Sequence, residues 1–379
     1  RLKQSFILRK NRLHPIPEGF YLVAPSQWKP FLKTPLLSPW GKLRAAMEPW
    51  IPQRRDPQDE SVGAFVRRRL GRELFEALAQ PLVGGIYNAD ADDLSLAACL
   101  PRFKEMERTH GSLIRALVSR PAPAQTSGAR YSLFVGFQKG MSTFVETLVS
   151  HLPAESIALR SVVQSVKNKP GNPWELQVND RPIESEAVVL ALPPHQMRPL
   201  IGRLDSEWDK LLGGIPAHDS ATLNLGFRRE DVGHPLNGFG FVVPAREKKS
   251  ILGCTFASQK FEGRAPEGHV LLRVFLGAAT AESIQTLGQD AVIEKALEEL
   301  RPILQLKGAP LLKHLTFYSK AMSHFRPGHL SQAARLEQKA SEFKGLYLAG
   351  NGLTGVGIPD CVASGQAAAE KIIKDFAKL

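Results

Sequence analysis

The densest group of residues able to hold a ligand lies near the C-terminus, at 345–376 (GLYLAGNGLTGVGIPDCVASGQAAAEKIIKDF). An apolar strand runs into Gly350, glycines follow at 352, 355 and 357, and Pro359 stands where a first-turn proline opens a helix. Small side chains at Ala363, Ser364, Gly365, Ala367, Ala368 and Ala369 let that helix lie close to a sheet or a flat ligand. Its unpaired N–H groups and positive end then face whatever the glycine loop cradles. Residues 350–355 (GNGLTG) also spell the dinucleotide pattern G-x-G-x-x-G. That reading fails on length: 24 residues follow Gly355, and one helix takes them up, leaving no second strand with an acidic residue for a ribose. A packing loop or a different ligand-facing role remains, and the second is expected.

Elsewhere, chemistry-bearing residues are sparse. His110, His324 and His329 are the histidines that could serve as bases, although a lone histidine is more often structural or on the surface. Cys99, Cys254 and Cys361 are too few and too scattered for a disulfide framework or a zinc site, which points to a reducing compartment. Read alone, Arg67, Arg68 and Arg69 are a solvated charge run.

With 379 residues, 43% hydrophobic and 23% charged, the chain can build two or three domains. Helical spacing at Val62, Phe65, Val66 and Leu70, with Gly71 as a stop, predicts a helix from residue 60. Another is expected over 105–120, so 44–120 reads as mainly helical, followed by a linker at 121–129 (PAPAQTSGA). Short apolar runs on either side of 9–19 read as strand, turn, strand. Further on come a short helix at 142–152, strands at 157–166, 174–178, 187–192, 222–227, 238–243, 251–256 and 270–277, and a helix at 281–300. No apolar stretch approaches the roughly 18 to 20 residues that cross a bilayer.

Net charge is +12, and residues 1–72 hold 15 basic against 5 acidic side chains. Such a concentrated basic surface suits an anionic partner, and no nucleic-acid-binding signature is present. Trp28, Trp40 and Trp50 lie among the lysines and arginines of 28–50, a combination suited to the interface between lipid headgroups and acyl chains or to a surface segment packed on its own domain.

Residues 348–365 (LAGNGLTGVGIPDCVASG) resemble the C-terminal flavin-contacting motif of the oxygen-dependent protoporphyrinogen oxidase family, part of the flavin amine oxidase and phytoene desaturase superfamily. The resemblance extends to 60–71 (ESVGAFVRRRLG), 80–96 (QPLVGGIYNADADDLSL) and 101–117 (PRFKEMERTHGSLIRAL), blocks not expected in amine oxidases or desaturases. It implies a mixed α/β (α+β) fold: a partial FAD/NAD(P)-binding Rossmann-like domain at 131–194 and 341–379, a mixed-sheet substrate domain at 195–340, and a helical, membrane-facing region at 1–130. The family's G-x-G-x-x-G unit has no counterpart here, so the chain is expected to be the C-terminal part of a longer protein.

The same resemblance implies FAD as cofactor, met by Val163, Asn351, Val356, Gly357 and Ile358, with Phe239, Gly240, Val242 and Phe275 holding the tetrapyrrole. Flavin chemistry needs no catalytic side chain and no metal. The implied reaction is six-electron oxidation of protoporphyrinogen IX to protoporphyrin IX in heme synthesis. Alternatives are coproporphyrinogen III, a carotenoid-type FAD desaturase, and a non-catalytic tetrapyrrole-binding fragment. The implied partners are a porphyrinogen, molecular oxygen, an anionic membrane surface and a second copy of the chain, in the cytoplasm or peripheral at its membrane. Two departures stand out. Ser5 replaces a usual arginine for a substrate propionate, and Ser323, His324 and Phe325 replace Pro-Gln-Tyr.

Overall fold

The computed structural model describes residues 4–119, 136–168 and 173–377, so the expected linker at 121–129 lies outside the described residues. Seven strands form the main sheet. From one edge their spatial order is Leu312–Ser323, Ala217–Arg228, His269–Leu276, Ile251–Phe256, Gly240–Val242, Ser5–Arg9 and Arg12–Pro15. Ser5–Arg9 runs parallel to Gly240–Val242, and the other neighbours are antiparallel.

Strict alternation gives the sheet two different faces. Phe6 and Leu8 enter a core shared with Phe241, Leu272 and Leu297, whereas Ile7 enters the core of the helical region with Phe65 and Leu78. Ser5–Arg9, expected within the helical region, thus pairs with Gly240–Val242 of the substrate-domain sheet while still sending Ile7 into the helical core. Its hairpin turn is also tighter than the sequence reading. Lys10 and Asn11 both have φ near +50° to +60°, the two-residue geometry whose twist matches that of the flanking strands.

Helices form where the spacing predicts them, but glycine divides two of them. Val62–Leu70 ends at Gly71, with φ +95°, as expected. The helix read at 105–120 is two, Pro101–His110 and Leu113–Val118, separated by Gly111 at φ +65° and capped afresh by Ser112. The helix at 281–300 is likewise Ala278–Leu287 and Gln289–Leu304, broken at Gly288. The twelve-residue edge strand Leu312–Ser323 escaped the sequence reading. It carries Lys313, His314 and Lys320, and such charges protect an exposed edge while erasing its apolar alternation.

The C-terminal strand Leu346–Leu348 pairs in parallel with Val188–Leu190, and a separate antiparallel sheet joins Val163–Lys167, Trp174–Val178 and Arg181–Ser185. Both pack on a third core containing Trp174, Trp208 and Leu353.

The arginine run is not a solvated face. Arg69 and Glu48 are fully buried and paired, with Nε to Oε1 at 2.7 Å. Arg69 also donates to the carbonyls of Ile51 and Gly111, while Glu48 accepts from the Ser112 hydroxyl and the Leu113 and Ile114 amides. Arg68 bridges Glu60 and Glu107, and Arg67 lies over the ring of Phe75 while pairing with Asp92. Removing one partner of a buried pair strands the other's charge at a cost of about 3 to 5 kcal/mol. Arg69→Met is therefore expected to lower the urea midpoint by that amount of stability at an unchanged m-value, and a shift worth under about 1 kcal/mol would contradict the account.

Candidate functional site

The hollow of the molecule follows from strand register. Ser5, Gly240 and Thr255 stand side by side across three strands, and Val242, Gly253 and Phe275 make the next row. All six face a cavity of about 300 Å3, closed on the other side by Leu82, Gly85 and Ile86 from helix Gln80–Tyr87. Four of the six side chains are small or absent, so sheet and helix cannot fill the space between them. A second cavity of about 350 Å3 shares Gly85 and Leu252 with the first.

The four residues expected to hold a tetrapyrrole, Phe239, Gly240, Val242 and Phe275, all lie on the first cavity's wall. Gly240 is glycine for a reason within the chain: its φ is +141°, and a Cβ there would collide with the Cys254 carbonyl of the next strand. No histidine, aspartate or glutamate is among the described residues lining this cavity. Cys254 borders it from the row that packs with Phe241 in the core beneath the sheet, and burial raises its thiol pKa far above the usual range.

The residues expected to meet a flavin fall in two places. Val356, Gly357 and Ile358 run into the N-terminus of helix Ile358–Phe376 and Asn351 stands earlier in the same loop, whereas Val163 opens a strand of the separate three-stranded sheet and shares a core with Leu353. Asn351 donates to the Ala321 carbonyl at 3.4 Å, Val356 packs against the helical core, and Ile358 is exposed. The glycines of the loop differ in what fixes them. A Cβ at Gly352 would strike the Pro194 ring and one at Gly355 the Asp360 side chain, while Gly350 has φ +113°. At Gly357 a Cβ would press on Asp360 Oδ2 at 3.0 Å, with Pro359 Cδ at 3.6 Å and Asp360 Cγ at 3.9 Å, and at Gly365 it would meet nothing within 4 Å. Open space is found at Gly365, and of the helix only Ala368 is buried among the described residues. A helix face left so uncovered is the one against which a flat group could lie.

The three histidines take different roles. His110 is exposed at the end of helix Pro101–His110. His329 donates from Nε2 to the Leu353 carbonyl at 2.6 Å and stacks on Phe325 at 3.8 Å, anchoring the glycine loop. His324 shares a hydrogen bond with His218, Nδ1 to Nε2 at 2.6 Å, and its own Nε2 is buried with no partner among the described residues. Sequence reasoning missed His218, Lys260 and Ile86, because each meets its neighbours only through tertiary contacts and none repeats a local motif.

Burial, followed by repulsion from His218 and Arg326, pushes the His324 pKa down from 6.5 to about 4. As pH falls below 6.5 the unfolded chain binds a proton here that the folded chain refuses until about 4, so stability is lost as pH falls through that window. His324→Gln should therefore flatten the fall in melting temperature between pH 6.5 and 4. An unchanged slope would show that this imidazole does not resist protonation.

Comparison with known proteins gives the chain its relatives. The flavin containing amine oxidoreductase family matches residues 3–373. A Bacillus subtilis (strain 168) protein named coproporphyrinogen III oxidase is 32% identical, over 96% of this chain and 78% of its own length. The mitochondrial protoporphyrinogen oxidase of Nicotiana tabacum is 26% identical over 98% of this chain and 80% of its own. A crystal structure from Exiguobacterium sp. 255-15, provisionally assigned as a protoporphyrinogen oxidase, superposes with a TM-score of 0.84 at 28% identity, covering 98% of this chain and 80% of that one.

Proposed function

The chain belongs to the flavin containing amine oxidoreductase family, and from that premise we propose that this FAD-dependent oxidase converts a porphyrinogen to a porphyrin in heme synthesis, with coproporphyrinogen III as substrate. The observation that carries the reading is the apolar cavity whose wall holds Phe239, Gly240, Val242 and Phe275. Coproporphyrinogen is preferred over the protoporphyrinogen first expected because the relative named for it is 32% identical, against 26% for the plant protein named for the other. Protoporphyrinogen IX is the second reading, favoured by the Exiguobacterium likeness and by how apolar the cavity wall is.

When bound, FAD supplies two-electron oxidation, with molecular oxygen as final acceptor and peroxide as product. Three such rounds make up the six-electron conversion. The chain's own part is to bind, orient and keep water out. Phe239 and Phe275 present ring surface to a planar macrocycle, and the backbone at Gly240 lets it approach closely. Asn351, Val356, Gly357 and Ile358 hold the flavin at the start of helix Ile358–Phe376, where the positive end of the dipole favours negative charge. Val163 contributes from its strand to the nucleotide end.

Surface chemistry supports a membrane-peripheral location. Trp40, Leu43, Met47 and Trp50 recur at helical spacing and are exposed, the two tryptophans by 79% and 76%, with Lys29, Lys33 and Arg55 exposed on the same segment. Trp28 does not join them, since it packs edge-on against Phe31. The platform is held firmly: Ser38 and Glu73 bond at its start, and Arg44 donates to the carbonyls of Arg68 and Arg69. Among the described residues no helix is long and apolar enough to cross a membrane, and we assign this face to an anionic bilayer surface.

The direct test is growth of porphyrin fluorescence when the FAD-loaded protein meets coproporphyrinogen III or protoporphyrinogen IX. Faster turnover of the first is expected, and no turnover of either would end the proposal. Gly357→Val should lose most of its flavin, while its apoprotein melts close to the wild-type apoprotein, since the nearest neighbours of a Cβ there are side-chain atoms and the first of them is the Asp360 carboxylate, which can turn away. Full flavin occupancy in that variant would remove the loop from the site. On anionic vesicles at low salt, Lys33→Gln should bind about fivefold more weakly, and replacing Trp40 and Trp50 with serine should weaken binding further. Absence of wild-type cosedimentation would make the platform an ordinary surface.

A further inference from the structure

The cavity of about 350 Å3 continues the first one beneath helix Gln80–Tyr87, joined to it at Gly85 and Leu252. The first reaches Gly240 and Thr255 at one end of their strand pair, and the second reaches Val243 and Ile251 at the other. Pockets that bury a drug-sized ligand hold roughly 300 to 1,000 Å3, so the first cavity alone is small for a four-ring macrocycle with acid arms. The two together form a longer trough.

Chemistry changes along that trough. The first wall is mainly apolar, whereas Gln80, Asn88, Asp90 and Lys249 line the second cavity. Three of these four are already engaged within the chain. Gln80 accepts from the Ala91 amide, Asn88 donates to the Asp219 carbonyl, and Asp90 accepts from the Asp92 amide. Lys249 is half-buried in the turn between strands Gly240–Val242 and Ile251–Phe256, and among the described residues its ammonium has no hydrogen-bond or ion-pair partner. Glu299, which packs on that turn, is taken up by the Ser250 amide and hydroxyl and by the Ile251 amide. Helix Ala278–Leu287 starts on the same wall with no side-chain cap and no acid in its first turn, so it adds partial positive charge and no competing carboxylate. A half-buried ammonium without a counter-charge is costly to keep, and an entering carboxylate would offset that cost.

We propose that the porphyrinogen lies along both cavities, with its ring against the apolar wall of the first and one propionate carboxylate in the second, where Lys249 binds it. The proposal rests on the porphyrinogen reading above and adds the group that sets which edge of the macrocycle points down the trough. A compact ammonium on a flexible stem suits a carboxylate carried at the end of a flexible arm. No bond to carbon is made or broken at Lys249. It is a binding and orienting residue.

The test uses the FAD-loaded protein and two stable probes in one detergent buffer, coproporphyrin III and its tetramethyl ester, titrated by porphyrin fluorescence. Lys249→Met should weaken coproporphyrin III binding by about tenfold, as expected for loss of a charged hydrogen bond. Ester binding and flavin content should stay unchanged, and Lys249→Arg should recover most of the lost affinity. Arg246→Met, which removes an exposed charge from the same turn, should leave coproporphyrin affinity within about twofold of wild type. Equal affinity in wild type and Lys249→Met, or an equal loss in Lys249→Met and Arg246→Met, would overturn the assignment while leaving the porphyrinogen reading standing. Equal weakening for both probes would show that the lysine merely shapes the cavity, which also overturns it. If the wild type binds neither probe, the porphyrinogen reading itself fails, and the role of Lys249 falls with it.

Discussion

The register of Ser5–Arg9 against Gly240–Val242 governs more of this molecule than any other contact. Because strand side chains alternate, that pairing sends Phe6 and Leu8 into the core beneath the sheet and Ile7 into the core of the helices, so one short strand joins both. A slip of one residue would exchange the two sets and bring a phenylalanine to the face where Ser5 now stands. The same register aligns Ser5, Gly240 and Thr255 beside Gly253, and their lack of bulk is what leaves a hollow facing helix Gln80–Tyr87. Site and fold are thus set by one pairing, made between segments more than two hundred residues apart in sequence.

Such long-range pairing explains what could be read in the sequence and what could not. Strands Trp174–Val178 and Ile251–Phe256 and helix Val62–Leu70 were legible, because each carries its own periodicity and stop signals. The helix breaks at Gly111 and Gly288 were not, since a lone glycine in a helical pattern reads as tolerated until its φ is known. Edge strand Leu312–Ser323 was hidden by its charges. At the site, the resemblance pointed to residues on the cavity wall and around the helix start. The His218–His324 contact had no local signal, because its partners lie 106 positions apart.

One compositional signal had two physical destinations. The basic surplus of the first 72 residues suggested an exposed cationic face, yet Arg69 lies wholly inside, neutralised by Glu48 and satisfied by carbonyls. Buried charge of this kind adds little net stability compared with an apolar core, but it fixes geometry, since only one arrangement satisfies every donor. Here that geometry holds the platform bearing Trp40 and Trp50, because Arg44 clasps the carbonyls of Arg68 and Arg69. Inner arginines position the segment, and outer lysines and tryptophans give it a surface to meet.

Cys254 gives the proposed reaction a durability that its other parts do not supply. The proposed oxidation would release peroxide, and Cys254 borders the cavity while its side chain packs with Phe241 in the core beneath the sheet. Peroxide attacks thiolate rather than thiol, and burial keeps the Cys254 sulfur protonated far above neutral pH. Cys99 is guarded in the same way, its pKa pushed up to about 12 by burial. Packing in the core beneath the sheet would therefore also spare the Cys254 sulfur from the by-product of the proposed reaction, and a sheet that turned it toward the cavity would not.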